Sequence, residues 1–260
     1  MPRFEPHPNR RPAVVTGASS GIGAATARAL ASAGHPVVLG ARRLERLTEI
    51  AREIVSAGGE AVAVKLDLAS AESIDAFADE ALRAFGEVEI MVSNAGSSAP
   101  GSALGTETTA FRETLEVNLL AAHHLARLLA GPMVERKRGD LVFVTSETVR
   151  YPRPGAAAYV TSKWGLEGLA RILQMELEGT GVRATIIQPG QTLTEMGSGW
   201  DADLAQEVLE SWIHWGLARH NSFLRPESVG AAVLAAVSAP RGTHLAMIEV
   251  QPEAPVRQTQ

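Results

Sequence analysis

Short apolar runs alternate with stretches of helical periodicity along almost the whole chain, and this alternation restricts the fold more than any other feature. Residues 13–16, 37–41, 61–66, 88–92, 141–145, 182–188 and 244–250 read as strands. They are continuous apolar runs, the pattern of strands buried on both faces of a parallel sheet. Between them, Ile74, Phe77, Ala78, Ala81, Leu82 and Phe85 keep the i, i+3, i+4, i+7 spacing of one helix face. A long helix is predicted over 106–130, with Pro132 just beyond its end. Right-handed crossovers then give a doubly wound α/β sheet of about seven strands with helices on both faces. No linker or repeat divides residues 13–251, so a single domain is predicted. A loose leader (1–12) precedes it, a frayed tail (252–260) follows, and a small helical lid is expected over about 192–221.

Composition removes several classes of function. A net charge of −5, spread along the chain, offers no footprint for nucleic acid. The chain has no cysteine, which excludes disulfides, thiolate metal sites and cysteine nucleophiles and fits a reducing, cytoplasmic setting. No apolar run approaches the roughly 18 residues of a membrane span. His123 and His124 are adjacent and cannot share a helix face, so no metal is expected.

The unusual residues lie at the carboxyl ends of the predicted strands, where open α/β sheets bind ligands. Thr16-Gly17-Ala18-Ser19-Ser20-Gly21-Ile22-Gly23 joins the first strand to an alanine-rich helix. Such glycines let the backbone approach a pyrophosphate, and the helix N-terminus behind them offers N–H groups and a positive dipole end. The bland alternative is an ordinary strand-to-helix turn. Ser146 follows the fifth strand, and a proline-rich turn leads from it to Tyr159 and Lys163, four apart on one helix face. A phenol beside an ammonium is predicted to have a lowered pKa, which suits it to proton transfer.

These motifs, in this order, together with Asp67, Asn94-Ala95-Gly96, Asn118 and Pro189-Gly190, resemble the short-chain dehydrogenase/reductase family in its standard-length branch. The resemblance covers about 13–250 and implies a Rossmann-like fold and oxidoreduction of a carbonyl/secondary alcohol substrate. It implies that Tyr159 is the general acid/base, that Ser146 holds the substrate oxygen, and that Lys163 tunes the phenol and bonds the nicotinamide ribose. Asn118 is expected to open its helix locally and order a water leading to the lysine. Cofactor contacts are implied at Gly17, Ser19, Ser20, Gly21, Ile22 and Gly23, at Asp67 and Leu68, at Asn94, Ala95 and Gly96, and at Tyr159 and Lys163. Pro189, Gly190, Thr192 and Thr194 complete them, with Thr194 on the carboxamide and Thr192 as the alternative. For Asp67, capping a turn is the plain alternative.

An acidic residue after the second strand would favour NAD(H). This chain has Ala41 there, then Arg42 and Arg43, two guanidiniums able to grip a 2′-phosphate. NADP(H) is therefore expected, with Arg42 the chief contact and Arg43 assisting, and NAD(H) as the alternative. Ser20 stands where relatives carry a further basic residue, which weakens the preference. Ser93 replaces a frequent asparagine, and the C-terminal Glu249-Val-Gln-Pro-Glu lacks a frequent glycine pair. Met196, Trp200, Trp212, Ile213 and Trp215 in the expected lid point to an apolar substrate, or else to core packing.

The helix carrying Tyr159 is apolar on more than one side (Val160, Trp164, Leu166, Leu169, Ile172, Leu173, Met175). Its second face is expected to pack on another subunit, in a homodimer or homotetramer. A non-catalytic nucleotide sensor on the same fold is the competing reading, and the intact Ser146, Tyr159 and Lys163 argue against it. A sugar-nucleotide epimerase is disfavoured by the short chain and the glycine spacing.

Overall fold

Strands β1 (Ala13–Thr16) and β4 (Ile90–Ser93) lie side by side, and the strand order reverses between them. From β1 the chain moves outward to β2 (Val37–Ala41) and β3 (Ala61–Lys65), then crosses back to β4. It continues the other way through β5 (Gly139–Val144), β6 (Val182–Pro189) and β7 (Met247–Val250). All the pairings are parallel, in the order β3-β2-β1-β4-β5-β6-β7. The computed structural model describes residues 5–196, 202–217 and 222–256.

The two-residue period of the strands divides the core. Ala13 and Val15 of β1, with Ile90 and Val92 of β4, face α1 (Gly21–Ser32), α2 (Leu44–Ser56) and α8 (Pro226–Ser238). Val14 and Met91 face α3 (Ala71–Phe85), α5 (Ala121–Glu135) and α6 (Ala157–Glu176). Small residues bring α1 and α8 close together: a Cβ on Gly230 would lie 3.0 Å from the Ala25 carbonyl carbon. Ser70 caps α3 by accepting from the Ser73 amide, and Gly86, at φ 78°, ends it. Helix α7 (Ala202–His214) falls within the expected lid; Trp200 lies outside the described residues. No helix among the described residues is long and apolar enough to cross a membrane.

Two expectations change. The predicted helix over 106–130 is α4 (Thr108–Leu115), one π turn (Glu116–Leu120) and α5, and Pro132 sits inside α5. The helix continues to Glu135 because its apolar stripe runs on to Met133, which is fully buried. The last residues of the expected leader are also not loose. Arg11 is 1% exposed and pairs with the equally buried Glu89 and Asp140 beneath the amino ends of β4 and β5. Two carboxylates there require a cation, and Arg11 supplies it. Arg10 is anchored as well, on Glu60 at 2.9 Å.

Candidate active site

Gly17 and Gly23 shape the turn after β1. Gly17 has φ 68°, and a Cβ there would lie 2.8 Å from the Ala95 Cα. A Cβ on Gly23 would lie 2.3 Å from the Gly17 carbonyl oxygen. Both positions are closed to any side chain, and the backbone folds tightly at the N-terminus of α1. Ser20, the N-cap, places no side-chain hydrogen bond on the first turn; its hydroxyl instead accepts from Arg43 Nη2 at 2.9 Å. The leading N–H groups of α1 therefore remain available to an anion.

Thr16 ties this turn to the end of β4. Its Oγ1 accepts from the Asn94 and Ala95 amides, both at 3.0 Å, while Asn94 Nδ2 donates to the Thr16 carbonyl at 2.9 Å. With serine at 93, the threonine hydroxyl holds the loop that follows. A cleft of 620 Å³ runs over these residues from Arg42 and Arg43 at one end to Ser146, Tyr159 and Lys163 at the other. Gly17, Ser19, Ser20, Gly21, Ile22, Asp67, Leu68, Asn94, Ala95 and Gly96 line it, with Pro189, Gly190, Thr192 and Thr194. Of the expected cofactor residues, Gly23 alone lies beneath the lining, where its role is to admit the Gly17 backbone.

At the chemical end, β5 delivers Ser146 and α6 delivers Tyr159 and Lys163. Ser146 lies beside the Tyr159 phenol, and both line the cleft. Lys163 is 2% exposed, and its ammonium donates to the Val144 carbonyl at 2.8 Å. Burial lowers the lysine to about 8. The expected drop of the phenol does not occur: burial pushes Tyr159 above its ordinary value, against the pull of the Ser146 hydrogen bond and the Arg153 charge. The physical reason is burial, which the ammonium is not placed to offset. Lys163 Nζ lies 5.8 Å from the centre of the Tyr159 ring and spends a hydrogen bond on Val144.

Asn118 sits in the π turn, as the expected local opening requires. Its side chain is a buried clamp: Oδ1 accepts from the Ser97 amide at 2.7 Å, and Nδ2 donates to the Ser97 carbonyl and to Ser162 Oγ. Ser162 in turn donates to the Tyr159 carbonyl at 2.7 Å. Asn118 thus joins the loop after β4 to the backbone that carries the phenol.

At the far end, the guanidinium brought onto the glycine turn is that of Arg43, which donates to Ser19 and Ser20 at 2.9 Å, whereas Arg42 is exposed at the cleft mouth. Asp67 lines the cleft and also caps a turn, its Oδ1 accepting from the Ala69 amide at 3.1 Å. Thr194 packs against the glycine turn, its Cγ2 lying 3.2 Å from where a Gly21 Cβ would sit; Thr192 donates to the Gly190 carbonyl.

The family model described as short chain dehydrogenase matches residues 11–205. The chain belongs to the short-chain dehydrogenase family. It is 30% identical over 222 residues to a 3-oxoacyl-[acyl-carrier-protein] reductase of Synechocystis sp., covering 85% of this chain and 86% of that one. It is 34% identical over 240 residues to the glycine betaine reductase ATRR of Emericella nidulans, covering 92% of this chain but only 18% of that protein's length. An alcohol dehydrogenase from the archaeon Thermococcus sibiricus, complexed with 5-hydroxy-NADP, superposes with a TM-score of 0.81 at 29% identity, over 95% of this chain and 100% of that one.

Other residues of this short-chain dehydrogenase enter the site without a motif to announce them. Arg153, 6% exposed, pairs with Glu147, the neighbour of Ser146. Trp212 of α7 lies against Arg153 and donates its indole N–H to the Pro154 carbonyl at 2.9 Å. Of the apolar residues expected to face substrate, Met196 lines the cleft, Trp212 is occupied in seating α7, and Ile213 and Trp215 are exposed. The proline turn after Ser146 was the available signal for Arg153: a cation held in a rigid loop beside a predicted catalytic residue. His124 bonds Asp75, and no metal-binding cluster occurs among the described residues.

Proposed function

We propose that the protein is an NADP(H)-dependent oxidoreductase that interconverts a carbonyl and a secondary alcohol. The observation that carries this reading is the single cleft that joins a phosphate-accepting glycine turn to Ser146, Tyr159 and Lys163. The turn fits a dinucleotide: Gly17 and Gly23 leave no room for a Cβ, and the helix N-terminus behind them, uncapped by side chains, would hold a pyrophosphate. The relative named as a 3-oxoacyl-[acyl-carrier-protein] reductase and the neighbour complexed with 5-hydroxy-NADP support the same reading.

Bound nicotinamide dinucleotide supplies or accepts the hydride. Ser146 donates a hydrogen bond to the substrate oxygen and holds it beside the phenol. Tyr159 gives its proton to that oxygen in reduction and takes it back in oxidation. Lys163, kept cationic below about pH 8, favours the phenolate left after proton transfer and holds the ribose. Asn118 keeps the Tyr159 backbone in place through Ser162, and Asp67, Thr192 and Thr194 hold the cofactor's two ends. Arg43 and Arg42 take the 2′-phosphate, which gives the preference for NADP(H).

A homodimer or homotetramer belongs to the same proposal. Trp164, Ile172 and Met175 on α6 are 54%, 50% and 72% exposed, an apolar stripe that water alone would not select. A cytoplasmic setting fits a chain without cysteine.

The test is NADPH consumption, followed by absorbance, across ketones, aldehydes, quinones and 3-oxoacyl thioesters, with a parallel NADH series. Turnover of at least one carbonyl is expected, faster with NADPH. Binding of NADPH without turnover of any substrate would turn the reading to a nucleotide sensor, and equal or faster rates with NADH would remove the arginine argument.

A further inference from the structure

Arg43 does not face the cleft alone. Its Nη2 donates to Ser19 and Ser20 on the glycine turn, while its Nη1 pairs with the Glu195 carboxylate at 2.7 Å. Glu195 comes from the segment after β6 and itself lines the cleft, beside Thr194. Its other oxygen pairs with Arg46, one turn along α2, at 2.6 Å. One carboxylate thus lies across the cleft mouth between two guanidiniums, and together they pull its pKa down to about 2, so it is anionic at any working pH.

We infer that Glu195 moderates the cofactor preference: its carboxylate competes with the 2′-phosphate of NADP(H) for the Arg43 guanidinium and thereby narrows the advantage of NADP(H) over NAD(H). This rests on the proposed NADP(H) reading. The argument is one of charge and of donor count. A guanidinium has five N–H donors in a fixed fork, and three of the groups facing it here are Ser19, Ser20 and Glu195. A phosphate gripping that fork brings a second anion to within a few ångströms of the carboxylate, where like charges oppose each other. The serine hydroxyls can rotate and donate to the phosphate, whereas a carboxylate has no proton to give and must withdraw. Arg46 provides the place for it to go. NAD(H), with a neutral 2′-hydroxyl, demands no such withdrawal.

The pairs are about half exposed, so each is weak and the competition is modest. Dissociation constants measured by calorimetry for NADPH, NADH and two fragments without nicotinamide, 2′,5′-ADP and 5′-AMP, provide the test. Glu195→Gln keeps the side-chain shape and removes the charge. It is expected to tighten NADPH relative to NADH, and 2′,5′-ADP relative to 5′-AMP, by about fivefold. In an Arg43→Ala background the same change is expected to shift neither ratio, the signature of coupling between the two side chains. Unchanged ratios in Glu195→Gln, or an equal shift that survives Arg43→Ala, would overturn the inference. If Arg43→Ala weakens NADPH while Glu195→Gln does nothing, this inference fails and the NADP(H) reading stands. If neither Arg42→Ala nor Arg43→Ala affects NADPH, that reading fails first and takes this one with it.

Discussion

The guanidinium carbon of Arg153 lies 4.7 Å from the centre of the Trp212 ring, and this contact joins the turn after Ser146 to helix α7. Arg153 is also paired with Glu147, so a single buried side chain connects the residue next to Ser146 with the element packed over the loop. Val208 of α7 adds a close approach, 2.8 Å from where a Gly155 Cβ would stand. Trp212→Leu removes the indole hydrogen bond and the ring under the cation, each worth about 1 kcal/mol. The expected outcome is a rise of roughly tenfold in KM for the carbonyl substrate with the NADPH dissociation constant unchanged. Steady-state kinetics beside a binding titration checks it, and an equal loss in both would mean that α7 is seated independently of the loop.

Tyr159→Phe separates chemistry from binding. In the proposed reaction the phenol carries the proton, and a phenylalanine ring keeps the same place near Lys163. Turnover is expected to fall by about 100-fold or more, in the range that general acid–base groups supply. NADPH affinity should stay within about threefold. A variant that keeps substantial turnover would move the acid/base role to another group in the cleft.

Lys163 gives the site a pH signature whose sign follows from linkage. Its folded pKa, about 8, lies below the unfolded value of 10.5, so between these limits the unfolded chain holds a proton that the folded protein has lost. Stability therefore rises with pH across that window, by about 3 kcal/mol, and gains nothing from this group below pH 8. Tyr159 acts in the opposite sense above its ordinary value of 10.0, because the folded phenol is raised. Denaturant melts at pH 7.5, 9 and 10 should show wild type gaining on Lys163→Met over this range. Activity should run the other way and fall as the ammonium is lost above about pH 8. A Lys163→Met protein with the same pH slope as wild type would place the titrating group elsewhere.

Arg11 marks the limit of what the sequence reveals. The strands, the glycine turn and the Ser146–Lys163 stretch were readable because their signals are local: apolar runs, glycines before a helix, a spacing of four. Arg11 meets Glu89 and Asp140, which lie 78 and 129 residues away, and nothing in a proline-rich N-terminus points to them. Glu195 is hidden in the same way, since its partners Arg43 and Arg46 lie 152 and 149 residues away, and the ring that Arg153 meets, Trp212, comes from α7, outside the loop that carries it. The extension of α5 through Pro132 reflects burial of Met133 outweighing a local breaker. Arg11→Ala leaves two fully buried carboxylates short of a partner, with Arg138 and Arg183 offering partial compensation. A loss of about 3 kcal/mol is expected, seen as a lower denaturant midpoint, while NADPH affinity of the folded protein is unchanged.

Gly23 offers the sharpest check on the glycine turn, because it does not touch the cleft at all. A methyl there would stand 2.3 Å from the Gly17 carbonyl oxygen and 2.6 Å from Asn94 Nδ2, the amide that bonds the Thr16 carbonyl. Neither neighbour can withdraw without opening the turn, since one is backbone and the other is the tie between β1 and β4. Gly23→Ala should therefore weaken NADPH by at least tenfold, read by calorimetry. Gly131→Ala serves as the matching control. It sits on an exposed face of α5 with nothing beyond its own turn within 4 Å of the added methyl, and no change in NADPH binding is expected. Full NADPH affinity in Gly23→Ala would mean that the turn can relax around a side chain, and the close backbone packing would then not be what binds the pyrophosphate.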